Sequence, residues 1–132
     1  MTKLFSLLVA ASAFLFLSPL HAQEKIKWKE LEAFHEVMAQ TFHPSEEGKL
    51  EPIRTRSQEV VDKAIAWKNS KAPKGYDKAA VNTSLAKLVA GAKEINKMVK
   101  ANASDADIKS KLSALHDVFH QIVEKCEKEE HM

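Results

Sequence analysis

The chain contains four stretches in which apolar residues recur every three or four positions, the spacing that places side chains on one face of an α-helix. The four sets are Trp28, Leu31, His35, Met38 and Phe42; Leu50, Ile53, Ser57, Val60, Ala64 and Trp67; Val81, Leu85, Leu88, Ala92, Ile95 and Val99; and Ile108, Leu112, Leu115, Phe119, Ile122 and Cys126. No window shows sustained alternation of apolar and polar residues, so the pattern predicts helices and no strands.

Polar breaks rich in Pro, Gly, Ser and Asn separate these stretches, at residues 43–48, 72–75 and 101–104. Ser104 and Asp107 resemble a capping box at the start of the last helix. Short connections make successive helices antiparallel neighbours. The sequence therefore predicts an all-α fold, an up-down-up-down antiparallel four-helix bundle.

Residues 1–22 have the layout of a secretory signal peptide. Lys3 precedes an uncharged apolar run from Leu4 to Leu17, and Ala22 lies where signal peptidase would cut. The run is shorter than the roughly 20 residues that cross a bilayer. We expect cleavage after Ala22, a periplasmic or secreted protein without a membrane span in its mature chain, and a single four-helix domain over residues 23–132.

The composition of the chain excludes several classes of function. The 132 residues include 20 Lys and Arg, 18 Asp and Glu and one Cys, which excludes a disulfide scaffold and any multi-cysteine metal site within one chain. The nearly balanced charge argues against nucleic-acid binding. No hydrolase triad or phosphate-binding loop is present. In an oxidising compartment, Cys126 would be buried, a ligand, or paired with a second copy, so a homodimer is a candidate assembly.

Histidines interrupt the apolar stripes of the first and last helices. His116 and His120 lie four residues apart, hence on one face, and antiparallel packing of helices over about 24–42 and 105–128 places His35 opposite residue 115 or so. Small residues, Ser57 and the pair Gly91 and Ala92, are expected at the same level, leaving room between the helices. His35, His116 and His120 are thus candidate ligands for Zn, Cu, Ni or Fe, with Met38 as a soft supplementary ligand.

Other interpretations of these histidines stay open. In one interpretation they are packed side chains that form hydrogen bonds with neighbouring carboxylates. In another, His35 and His116 are the axial ligands of haem b. A di-iron site is weakly indicated, because Glu32-x-x-His35 supplies only one of the two required elements. His43 lies about 12 Å from the predicted layer, in a turn that could hold a second ion.

The last helix, Leu112-Ser113-Ala114-Leu115-His116, resembles the haem-binding helix of the periplasmic four-helix cytochromes, the c-prime family and its b-type relatives. In the c-prime family this segment reads C-x-x-C-H, whereas both cysteine positions here hold leucine, which excludes covalent attachment. The b-type relatives keep the histidine alone. The resemblance implies a four-helix bundle that holds haem non-covalently through His116 and a ligand from the first helix, His35 or Met38.

Together these patterns predict a secreted bundle that binds a transition-metal ion or non-covalent haem between its first and last helices. Such a protein would act as a carrier, a sensor or an electron-transfer protein rather than as an enzyme. The alternative is a non-enzymatic interaction module, chaperone-like and without a cofactor, whose histidines are merely packed.

Overall fold

The bundle consists of four helices. A computed structural model describes residues 27–130, with side chains described through Cys126, and this part of the chain contains no strand. The helices are α1 (Lys29–Glu46), α2 (Glu51–Asn69), α3 (Lys78–Lys100) and α4 (Asp105–Glu130). Each helix packs against the next one along the chain, and α1 also packs against α4, so the four helices close into a bundle. This arrangement confirms the predicted four-helix bundle. None of them is apolar over a length sufficient to cross a membrane. The predicted signal peptide and its cleavage site lie outside the described residues.

The predicted apolar stripes of α2, α3 and α4 form the core. All their members are buried except Val99, which is partly buried at the end of α3. At the start of α4, the Ser104 hydroxyl accepts a hydrogen bond from the Asp107 amide at 3.1 Å, as the capping pattern predicted. Spacing alone therefore located the buried faces of three helices.

The buried face of α1 is rotated relative to the prediction. Its buried residues are Phe34, Val37, Met38, Thr41 and Ser45, whereas His35 is exposed. Two of these are polar, and the Thr41 hydroxyl bonds back to the Val37 carbonyl at 2.9 Å, which satisfies it inside the core. Because two residues of the buried face of α1 are polar, the spacing of apolar residues did not predict that face correctly.

Helix α1 is also longer at its C-terminal end than expected. It continues through Pro44 to Glu46, over residues predicted as a turn, and the chain then leaves it at Gly48, where φ is +85°. The Pro44 carbonyl accepts from the amides of Glu47 and Lys49, which closes the helix end. A proline in the last turn lacks one helical donor but leaves φ compatible with the helix.

Aromatic rings fill the centre of the bundle. Trp67 is fully buried, with ring centroids 5.7 Å from Phe34 and 6.0 Å from both Phe119 and Trp28. The indole N–H of Trp28 donates to the Ser70 hydroxyl at 2.8 Å, whereas that of Trp67 has no hydrogen-bond partner among the described residues. Phe119 links this aromatic core to the seam between α4 and α1.

Candidate functional site

The α1–α4 seam is lined by imidazole and phenyl rings. These two helices pack less closely than the other three neighbouring pairs. His116 stacks on Phe42 with ring centroids 3.8 Å apart and planes 8° from parallel. His35 stacks on Phe119 at 5.3 Å and 20°. Phe119 is buried, whereas His35 is exposed and His116 is half-buried, so both imidazoles lie where the seam meets solvent.

His116 and His120 form the most direct contact between titratable side chains in this seam. Their Nε2 atoms are 3.1 Å apart, and the ring planes are nearly perpendicular, at 83°. One turn of α4 separates the two residues, so the helix itself brings the rings together. His116 is half-buried and His120 is exposed. When both imidazoles are neutral, one Nε2 can donate its proton to the other.

The structure does not bring the three predicted histidine ligands together. His35 lies on Phe119, whereas His116 lies on Phe42, two turns further along α1. Among the described residues, no group of three or more His, Cys, Asp or Glu side chains is arranged to hold a metal ion. Met38, the predicted soft ligand, is buried in the core. The pair His116 and His120 is the part of the predicted site that the fold assembles.

The difference in register follows from the true bounds of α1. The prediction assumed a helix over about 24–42, but α1 runs from Lys29 to Glu46, four to five residues further along the chain. Each level of α4 therefore faces a later residue of α1. A hydrogen bond from the Ser113 hydroxyl to Glu46 Oε1, at 2.9 Å, joins α4 to the last turn of α1 one turn before His116.

The room expected beside the histidines is filled. Gly91 lies so close to Leu115 that a Cβ added to the glycine would be 2.9 Å from Leu115 Cδ1. Ser57 faces the other side of the bundle, where its hydroxyl donates to the Asn96 side-chain oxygen at 2.8 Å. The small residues of α2 and α3 therefore serve close helix packing, and the candidate site lies on the surface seam.

The sequence pattern placed His43 about 12 Å from the predicted layer and gave Glu46 no role beside His116. His43 and Glu46, assigned to a turn, belong to the last turns of α1 and act on His116 through their charges. The signal that could have found them is their i,i+3 spacing at the end of α1, which places them side by side on the helix. This spacing was not recognised because helices usually end before a proline, and Pro44 lies between the two residues.

Burial lowers the pKa of His116 below its ordinary value. The neighbouring imidazoles of His120 and His43 lower it further, and the carboxylates of Asp117 and Glu46 oppose them. His116 is therefore neutral at pH 7, the form in which an imidazole accepts a metal ion.

This lowered pKa predicts a pH-dependent stability. The unfolded chain takes up a proton at His116 at a higher pH than the folded chain does, so the free energy of unfolding should fall as the pH drops from about 6.5. Above that pH, His116 is neutral in both the folded and the unfolded chain, and its stabilising contribution to the free energy of unfolding is fully present. Urea denaturation between pH 5 and 8 measures it. His116→Asn should flatten the slope, and an unchanged slope in this variant would refute the assignment.

Two nitrogens at this separation fit the coordination sphere of one ion. With metal–nitrogen bonds of about 2.0–2.1 Å, nitrogens 3.1 Å apart subtend an angle of about 100° at the metal. This angle lies between those of octahedral and tetrahedral sites. Binding one ion requires both Nε2 atoms to be unprotonated, each ring carrying its proton on Nδ1, and both lone pairs to turn toward the ion.

A second concave region lies between α1 and α2, where Gln40, Pro44 and Arg56 border an open cleft of about 560 Å³. Arg56 is held there by Glu59, with Nε to Oε1 at 2.8 Å, and by Gln40 at 2.6 Å. This pairing raises the pKa of Arg56 and lowers that of Glu59. The guanidinium is engaged by protein groups, so the histidine pair is the stronger candidate site.

Comparison with protein-family models, curated proteins and solved structures found no significant match to this chain.

Proposed function

We propose that the chain binds a first-row transition-metal ion through the Nε2 atoms of His116 and His120. The observation that carries this proposal is the 3.1 Å separation of the two nitrogens, which matches two ligand positions on one ion. Imidazole nitrogens suit Zn, Cu, Ni and Fe. The lowered pKa of His116 favours its neutral form, in which Nε2 is open to an ion when the ring proton lies on Nδ1.

The seam suits an ion better than haem. One face of His116 is covered by Phe42 at 3.8 Å, and its Nε2 points to His120 rather than across to α1. An axial pair made with His35 would have to span the two turns that separate His35 from Phe42 on α1. The resemblance to the four-helix cytochromes therefore supports the bundle more than the cofactor.

Exposure of the site favours a carrier or a sensor. His120 is exposed, and a pair of imidazoles leaves coordination positions for water or for other donors. An ion held in this way can be exchanged, whereas a resident cofactor is usually enclosed by more ligands. If residues 1–22 direct export as predicted, this exchange takes place in the periplasm or outside the cell.

Titration of the metal-free protein with Zn²⁺, Cu²⁺ or Ni²⁺ in a calorimeter tests the proposal. His116→Ala and His120→Ala should each weaken binding more than about 100-fold, because loss of a group that only supports a ligand already costs 10–100-fold. His35→Ala is the matched control, an exposed histidine on the adjacent helix, and should bind like the unaltered chain.

Two results would contradict the proposal. Binding that survives in both His116→Ala and His120→Ala would place the ion elsewhere. A Soret band in protein purified from its natural compartment would show haem instead of an ion.

A further inference from the structure

The histidine pair provides only half of a tetrahedral coordination sphere. Zn²⁺ in closed protein sites takes four ligands, and among the side chains that the structure describes, through Cys126, no third His, Cys, Asp or Glu is grouped with the pair to hold an ion. Asp117 adjoins His116 in sequence, but successive helical residues project about 100° apart, away from the Nε2 pair. Glu46 is bonded to Ser113, one turn before His116.

We infer that a second copy of this chain completes the site, so that one Zn²⁺ joins two protomers through His116 and His120 of each. This inference rests on the proposed function. A two-fold axis through the ion presents the same pair twice, which gives four imidazole nitrogens from two identical surfaces. The angle of about 100° subtended by each pair is about 10° below the tetrahedral value, within the distortion that a four-coordinate ion accepts.

The surface of α4 allows this approach. His120 and its neighbours Asp117, Gln121 and Glu124 are exposed, so no described helix covers the pair from outside. Because the ion and its imidazole ligands would lie between the two α4 helices, these helices would stand further apart than the 8–10 Å of directly packed helices. The interface therefore needs no apolar patch. The charge of the ion offsets the repulsion between the two Asp117 carboxylates.

The assembly should depend on zinc and stop at two chains. An isologous contact uses the same patch on both protomers, so it closes on itself and leaves no free end for a polymer. Without zinc, no coordination bond links the imidazoles of one copy to those of the other, so the chain should be monomeric.

The test measures mass and stoichiometry on the same full-length sample. Metal-free protein is titrated with ZnCl₂ in a calorimeter, and sedimentation velocity is recorded before zinc, after zinc and after EDTA. We expect one Zn²⁺ per two chains, a doubling of mass with zinc and its reversal by EDTA. His120→Ala should stay monomeric, whereas His35→Ala should dimerise like the unaltered chain.

Other outcomes separate this inference from the proposed function. One Zn²⁺ per chain on a monomer, lost in His120→Ala, would overturn the dimer and leave metal binding by the pair intact. Zinc uptake or dimerisation that persists in His120→Ala would overturn the dimer through this pair. Absence of zinc uptake by the folded chain, checked by circular dichroism, would overturn both.

Discussion

Replacing Trp67 with alanine should lower the free energy of unfolding by about 3–5 kcal/mol, the range for removal of a large buried aromatic ring. The indole is fully buried and contacts rings from α1 and α4, so the cavity would open where three helices meet. Urea denaturation followed by circular dichroism measures the loss. A cost below about 1 kcal/mol would mean that the neighbouring rings collapse into the space.

Trp67→Phe is the matched control for this experiment. It keeps an aromatic ring but removes the indole N–H, which is buried without a hydrogen-bond partner among the described residues. An unsatisfied buried donor costs about 1–3 kcal/mol, so its removal should offset much of the lost packing. We expect Trp67→Phe to cost less than half of what Trp67→Ala costs. Equal costs would show that the N–H is satisfied in solution.

Zinc should raise the melting temperature by about 10–20 °C when its free concentration is 100 times its dissociation constant. Binding to the folded chain alone stabilises it by about 2.7 kcal/mol at that excess, and each kcal/mol moves the midpoint of a domain this size by about 4–8 °C. Differential scanning calorimetry with and without ZnCl₂ measures the shift.

The histidine variants decide where this stabilisation arises. His120→Ala should abolish the shift with little change in the metal-free melting temperature, because its ring is exposed. His35→Ala should keep the shift. An equal shift in all three proteins would mean that zinc acts through other groups.

Much of the fold could be predicted from the sequence because three helices carry their core as apolar stripes with a single polar member. Ser57, the one polar member of those stripes, is buried with its hydroxyl bonded to Asn96. Helix α1 was different. Its core includes Thr41 and Ser45, which an apolar pattern does not count, and Pro44 concealed its last turn.

The candidate site could be predicted only where it depends on local geometry. The spacing of His116 and His120 lies within one helix, so a single turn fixes their separation. The position of His35 depends on how α1 is aligned with α4, and the predicted bounds of α1 were in error by four to five residues. An error in the bounds of a helix changes the contacts predicted between helices, whereas it leaves the spacing of residues within one helix unchanged.

The aromatic core described above also gives the protein an optical reporter. Phe119 contacts both His120, at 5.7 Å, and Trp67, at 6.0 Å, so one of the two tryptophans lies a single ring away from the histidine pair. A paramagnetic ion such as Cu²⁺ at the pair would quench the fluorescence of this indole. Trp67 emission can therefore follow occupancy of the seam without any added dye.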